Sequence, residues 1–142
     1  MFRSIRNSAG MSLVEIMIVI AIMGAIAALV GSNVLPMFEK SKVDNTKNQM
    51  KNVEQALQLY YTDNSSYPTS EQGLEALVKK PTVGQEPMNY NPSGYMKDVP
   101  KDQWGKPFIY ESDGTKYMIM SYGKDAKEGG TGYAEDIIVE SE

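Results

Sequence analysis

Gly10-Met11-Ser12-Leu13-Val14-Glu15-Ile16-Met17-Ile18-Val19-Ile20-Ala21-Ile22-Met23-Gly24-Ala25-Ile26-Ala27-Ala28-Leu29-Val30 is the stretch on which the fold turns. Followed on to Leu35, it meets nothing more polar than Glu15, Ser32 and Asn33. A helix of about 20 predominantly apolar residues crosses the hydrocarbon core of a bilayer, so this segment is long enough to span. Glu15 is the only charge between Arg6 and Glu39. A carboxylate in hydrocarbon is costly and needs a partner or a nearby interface. The residues ahead of Gly10 are few, with Arg3 and Arg6 as their only charges. A cleavable secretory signal would show an apolar core of roughly 7 to 15 residues and a small-x-small cleavage triplet. This run is longer, and its far end, Gly31-Ser32-Asn33-Val34-Leu35-Pro36, carries no such triplet. The sequence therefore predicts a retained membrane helix. Arg3 and Arg6, uncompensated by acid, hold the N-terminus in the cytoplasm and send the remainder across.

Outward from the span, Val43, Thr46, Met50, Val53, Leu57 and Tyr60 recur at alternating steps of three and four among mostly polar residues. That period is the apolar stripe of an amphipathic helix, a second half of the same long element. Pro36, with the small pair Gly31-Ser32 before it, marks either an ordinary kink at the membrane exit or a turn that melts for assembly. Asn64-Ser65-Ser66-Tyr67-Pro68-Thr69 reads as a turn, followed by a short helix over Glu71–Lys80 capped by Thr69 or Ser70, with Leu74, Leu77 and Val78 inward. Val83–Gln103, rich in Pro and Gly around Tyr90 and Tyr95, reads as a long ordered loop, and loops of that length usually have a job. Pro107–Glu111 and Lys116–Ser121 flank Ser112-Asp113-Gly114-Thr115, the strongest hairpin signal in the chain. Ile137-Ile138-Val139 supplies a further strand. The expected class is α+β: a long N-terminal helix on a small antiparallel sheet.

Composition narrows function mainly by exclusion. With 14 Lys+Arg against 18 Asp+Glu the chain is mildly acidic, which argues against nucleic acid as a partner. Cys and His are both absent, so there is no disulfide, thiol nucleophile, Ser-His-Asp triad or His-ligated zinc. Trp104, the only tryptophan, is expected to anchor the core between loop and sheet, with Gly105 turning the chain. In Ser121–Ile137, the acids Asp125, Glu128, Glu135 and Asp136 bracket a run of turn formers. Hard oxygen ligands on such a loop suit calcium, and a solvated acidic loop fits the same spacing equally well. A helix-loop-helix calcium motif starting at Asp125 would place Gly130 at its glycine, but Lys127 on a ligand position and Asp136 where Glu is required, so that motif is rejected. Too little chain remains to build a glycosidase cleft around the paired carboxylates.

Gly10-Met11-Ser12-Leu13-Val14-Glu15 ahead of a long apolar helix resembles the N-terminal signature of type IV pilins and pseudopilins. Tyr67–Pro81, Asp102–Tyr110 and the Ser121–Ile137 loop are similar to segments of the major pseudopilin of the bacterial type II secretion system. The resemblance implies a pilin-like fold with a basic leader (1–10), a transmembrane and filament-core helix (11–36) and an extracytoplasmic globular domain (37–142). It implies that a prepilin peptidase cuts between Gly10 and Met11 and methylates the new amine, and that Glu15 pairs with the N-terminal amine of a neighbouring subunit. It implies further that Asp125 and Asp136, with Glu135 as a candidate third side chain and backbone carbonyls such as that of Tyr122, would correspond to that family's calcium site, the absence of a disulfide fitting a loop stapled by metal. The implied product is a structural polymer rather than an enzyme. It leaves the inner-membrane bilayer for a periplasmic pseudopilus that promotes export of folded proteins, assisted by minor pseudopilins and an inner-membrane assembly platform. Ile18, Ile22 and Leu29 are candidate helix contacts in the filament. Energy must come from a separate ATPase, because this chain has no phosphate-binding glycine loop. An adhesive or motility pilin is the nearest alternative, a membrane-tethered binding protein reading ligands through the Trp104 loop the next, and an anchored hydrolase using Glu135 and Asp136 the last.

Overall fold

The computed structural model describes residues 10–141. Of the expected leader, all but Gly10 lies outside the described residues, and Arg3 and Arg6 with it. One long helix, α1 (Leu13–Asn64), opens the fold and contains Pro36. The chain divides between Phe38 and Glu39 into two units.

In the first unit the apolar side chains stand exposed, Leu13, Met17, Ile20, Met23 and Leu29 among them. This is the one helix among the described residues long and apolar enough to cross a membrane. A helical proline removes one backbone N–H and crowds the carbonyl four residues back. In the turn before Pro36, the side chains of Ser32 and Asn33 donate to the Leu29 carbonyl at 3.1 and 2.9 Å, supporting the backbone locally.

In the second unit the amphipathic half of α1 buries Thr46, Met50, Val53, Ala56, Leu57, Tyr60 and Asn64, following the predicted stripe, while Val43 is half-buried. Three strands follow: β1 (Ile109–Ser112), β2 (Tyr117–Ser121) and β3 (Ile137–Glu140), antiparallel in the order β1-β2-β3. Ser112 opposes Tyr117 across the hairpin and Ser121 opposes Ile137. Alternation along β2 puts Tyr117, Ile119 and Ser121 inward, as a strand period of two requires. Tyr117 and Ile119 join Phe108, Ile137, Leu74, Ala76, Leu77 and the apolar residues of the helix stripe in one core. At the hairpin, the Asp113 carboxylate accepts from the Thr115 hydroxyl and from the N–H groups of Thr115 and Lys116 at 2.7 to 2.9 Å. These bonds favour the ionised acid and hold its pKa down to about 2.

The helix expected over Glu71–Lys80 is a single 3-10 turn, Leu74–Leu77. The predicted start is present as a reciprocal cap: Thr69 N–H donates to Gln72 Oε1 at 3.0 Å and Gln72 N–H to Thr69 Oγ1 at 3.4 Å. Gly73 then takes φ +64°, which breaks the α-helical run immediately after the cap. Leu74 and Leu77 still reach the core; Val78 is only half-buried. Val83–Gln103 contains no helix or strand, as predicted. Its Tyr90 and Tyr95 rings lie 6.3 and 5.1 Å from Tyr60. Asn64 Nδ2 donates to the Tyr95 hydroxyl at 3.0 Å, and Asn64 Oδ1 accepts from Asn89 N–H at 2.9 Å. The loop is thereby tied to the C-terminal end of α1. Burial pushes the Tyr60 hydroxyl up to about 12.

Candidate functional site

Two places carry the residues singled out by the sequence: the start of α1 and the loop between β2 and β3. At the first, Gly10, Met11 and Ser12 precede the helix with no regular structure, and all three are exposed. Ser12 N–H donates to Glu15 Oε2 at 3.1 Å, while Glu15 N–H donates to Ser12 Oγ at 3.2 Å. This is a capping box, in which two of the backbone donors left open at a helix start are satisfied reciprocally. Ile16 N–H closes the first helical bond on the Ser12 carbonyl at 3.2 Å. The negative charge also sits at the positive end of the helix dipole. Glu15 thus has a partner inside its own chain, whereas the sequence reading gave it none short of an interface or a second subunit. The signal was present in Ser12-Leu13-Val14-Glu15, whose S-x-x-E spacing is the mark of such a box. Farther along, Met23, Ile26, Ala27, Val30, Gly31, Val34 and Leu35 line an apolar notch on the helix surface, the small residues Ala27 and Gly31 among them.

The second place is assembled from the sheet outward. Asp102 is buried, 5% exposed. Its Oδ1 accepts from the N–H groups of Trp104 and Lys106 at 3.0 and 2.8 Å, and its Oδ2 from the Ser121 hydroxyl at 2.8 Å. Ser121 Oγ accepts in turn from Gly123 N–H at 3.3 Å, where the loop leaves β2. Gly123 has φ +63°, and a Cβ there would meet the carbonyl oxygens of Glu135 and Tyr133 at 2.9 and 3.2 Å. Both oxygens therefore lie close to the backbone of Gly123. Two 3-10 turns, Gly123–Asp125 and Gly132–Ala134, pack on one another to form the loop's body.

Of the proposed ligands, Asp136 and Tyr122 are half-buried, Asp125 and Glu135 exposed. Asp125 Oδ1 accepts from Lys127 N–H at 3.1 Å, and Asp136 Oδ2 from Gly129 N–H at 2.8 Å. Asp136 Oδ1 is buried with no hydrogen-bond partner. A buried carboxylate oxygen in that condition is costly unless something positive or a donor meets it. Among the described residues no three acidic side chains come together as a metal cluster. The donors at hand are thus carboxylates from Asp136 and Asp125 and peptide carbonyls, which fit in kind the all-oxygen shell of calcium.

Trp104 is half-buried and packs against the core, its turn closed by Gly105 N–H donating to the Asp102 carbonyl at 3.0 Å. The sequence reading missed Asp102, although an aspartate two residues ahead of a Trp-Gly turn is a recognisable side-chain-to-backbone signal. It also missed Glu39, whose Oε1 pairs with Lys124 Nζ at 3.0 Å. The Lys124 ammonium holds the Glu39 carboxyl below its usual range, against burial, with the Trp104 indole helping.

An exposed, non-helical segment ahead of a capped apolar helix, with a three-stranded sheet later in the chain, is the arrangement expected of a pilin-like subunit. The family described as "Type II secretion system (T2SS), protein G" matches residues 33–140, and the "Prokaryotic N-terminal methylation motif" matches residues 5–31. The type II secretion system core protein G of Pseudomonas aeruginosa is 45% identical over 134 residues, covering 93% of this chain and 94% of the relative. That of Vibrio cholerae is 43% identical over 137 residues, covering 95% and 93%. The crystal structure of the major pseudopilin from the type 2 secretion system of enterohaemorrhagic Escherichia coli superposes with a TM-score of 0.66 at 35% identity, covering 75% of this chain and 88% of that one. The chain belongs to the type II secretion system protein G family and is a pseudopilin.

Proposed function

We propose that this chain is the major, non-catalytic subunit of a periplasmic pseudopilus that promotes export of folded proteins. Residues 11–36 form its membrane and filament-core helix and 37–142 its periplasmic domain, the N-terminus facing the cytoplasm. A prepilin peptidase removes residues 1–10 and methylates Met11. The processed helices then leave the bilayer and pack side by side with the help of minor pseudopilins and the assembly platform. The observation that carries this reading is the exposed, non-helical Gly10–Met11 junction immediately ahead of a helix whose only charge for many turns is Glu15. The notch at Ala27 and Gly31 supports close helix approach, the use to which small residues are put where helices pack without a hydrophobic drive. Mass spectrometry of the mature protein is expected to find a chain starting at Met11 with one added methyl group. A protein that still begins at Met1 rejects the processing scheme.

Calcium belongs to the same proposal. Asp136 through its free Oδ1, Asp125, and carbonyls of the loop such as that of Tyr122 would hold it, with Glu135 as a further candidate. The ion would supply positive charge to a carboxylate oxygen otherwise buried alone. A cation that binds only the folded state stabilises it by about 2.7 kcal/mol at a hundred times its Kd. Calcium is therefore expected to raise the melting temperature of the unit from Glu39 onward by about 10 °C. Asp136→Asn should abolish most of that gain. Identical melting curves with calcium and with chelator would remove the metal from the proposal.

A further inference from the structure

We propose that Glu39 is a positioning residue for the β2–β3 loop, its ion pair with Lys124 latching the loop onto the first turn of the helix in the globular unit. Among the described residues, every hydrogen bond from Lys124 to Asp136 outside the sheet ladder closes within the loop: Lys127 to Asp125, Gly129 to Asp136, Ala134 to Thr131 and Glu135 to Gly132. Among the described residues, the single polar tie from this stretch to another element is Lys124 Nζ to Glu39 Oε1, at 3.0 Å. The two partners are unequally exposed, 53% for the Lys124 side chain and 20% for that of Glu39. Glu39 is thus the fixed half of the pair and Lys124 the half that docks.

The seat around Glu39 is shaped for this. Glu39 Oε2 and Trp104 Nε1 are both buried, and neither completes a hydrogen bond of normal geometry. With Oε2 closed off beside the indole, the Glu39 charge is met at Oε1, and the loop delivers the cation there. Lys42, the other basic group acting on Glu39, lies on the same helix and brings no loop with it. Docking Lys124 fixes the turn Gly123–Asp125 from one side, while the Asp102–Ser121–Gly123 bonds fix it from the other. The loop and the helical segment at Glu39 consequently order together.

Hydrogen exchange of the full-length protein in detergent micelles, with chelator present throughout, tests the latch independently of calcium. An exposed or partly exposed ion pair contributes up to about a fivefold change in a local opening equilibrium. Glu39→Gln and Lys124→Met are each expected to speed exchange of amides 124–135 by about that factor, with amides of β2 unchanged. The charge-swapped double variant, Glu39→Lys with Lys124→Glu, should return loop exchange toward wild type. Lys124→Met acts from the exposed side, so it serves even where replacing Glu39 hinders folding. Wild-type exchange in Lys124→Met, acceleration spread equally over β2, or no recovery in the charge swap would each overturn the latch.

Discussion

Glu15→Leu is expected to insert in the membrane, be cut after Gly10 and yield no filaments. The proposed pairing places this carboxylate against a neighbour's terminal amine in an apolar surround. Removing one partner of such a pair strands the other, at about 3 kcal/mol per contact, or roughly a hundredfold in subunit association. The capping box adds a confounding loss, because Leu also cannot accept from Ser12 N–H. Glu15→Gln separates the two effects. Glutamine serves at this position of the box, so the helix start is kept while the charge is lost. Filaments sheared from cells and imaged by electron microscopy should be absent for both variants. Ser12→Ala, which costs only the cap at about 1 kcal/mol, should retain them. Normal filaments from Glu15→Gln would show that the charge has no part in assembly.

The largest loss of stability is expected from Asp102→Ala. Three donors, Trp104 N–H, Lys106 N–H and the Ser121 hydroxyl, would be left without their acceptor in a buried place. At 1 to 3 kcal/mol for each stranded group, less what water recovers, the unit from Glu39 onward should lose about 3 kcal/mol and melt about 12 °C lower. Asp102→Asn keeps Oδ1 for both N–H groups and can donate to Ser121 Oγ, so about 1 kcal/mol is expected. Thermal unfolding followed by circular dichroism distinguishes these. Equal melting temperatures for the Ala and Asn variants would mean that the carboxylate does not organise the turn.

The long helix, its buried stripe and the three strands were legible because each rests on a period: three and four along α1, two along β2. A turn signal also pinned the hairpin to one place. The helix over Glu71–Lys80 was misread because cap and apolar spacing were both present, and only the conformation of Gly73 decides that the run ends at once. The candidate loop was legible in its residue types and not in its supports. Asp102, Ser121 and Glu39 lie far apart along the chain, and nothing in their spacing says that tertiary packing brings the first two together and sets the third against Lys124. Glu15 stood out as a charge in an apolar run, yet its local partner was overlooked, because the same four residues read both as a processing signature and as a helix cap.

The box at Ser12 and Glu15 has a consequence for the order of events at the membrane. Scission between Gly10 and Met11 would leave the Met11–Ser12 peptide whole, so the N–H that Glu15 accepts would remain an ordinary amide. The helix would begin at the same residue, with the same two bonds, before and after the cut. What would change is that a cation appears beside the positive end of a helix, where it is disfavoured. Maturation of this chain would be an electrical event rather than a refolding one at the helix start, which would keep its two bonds and gain the charge that seeks a neighbour.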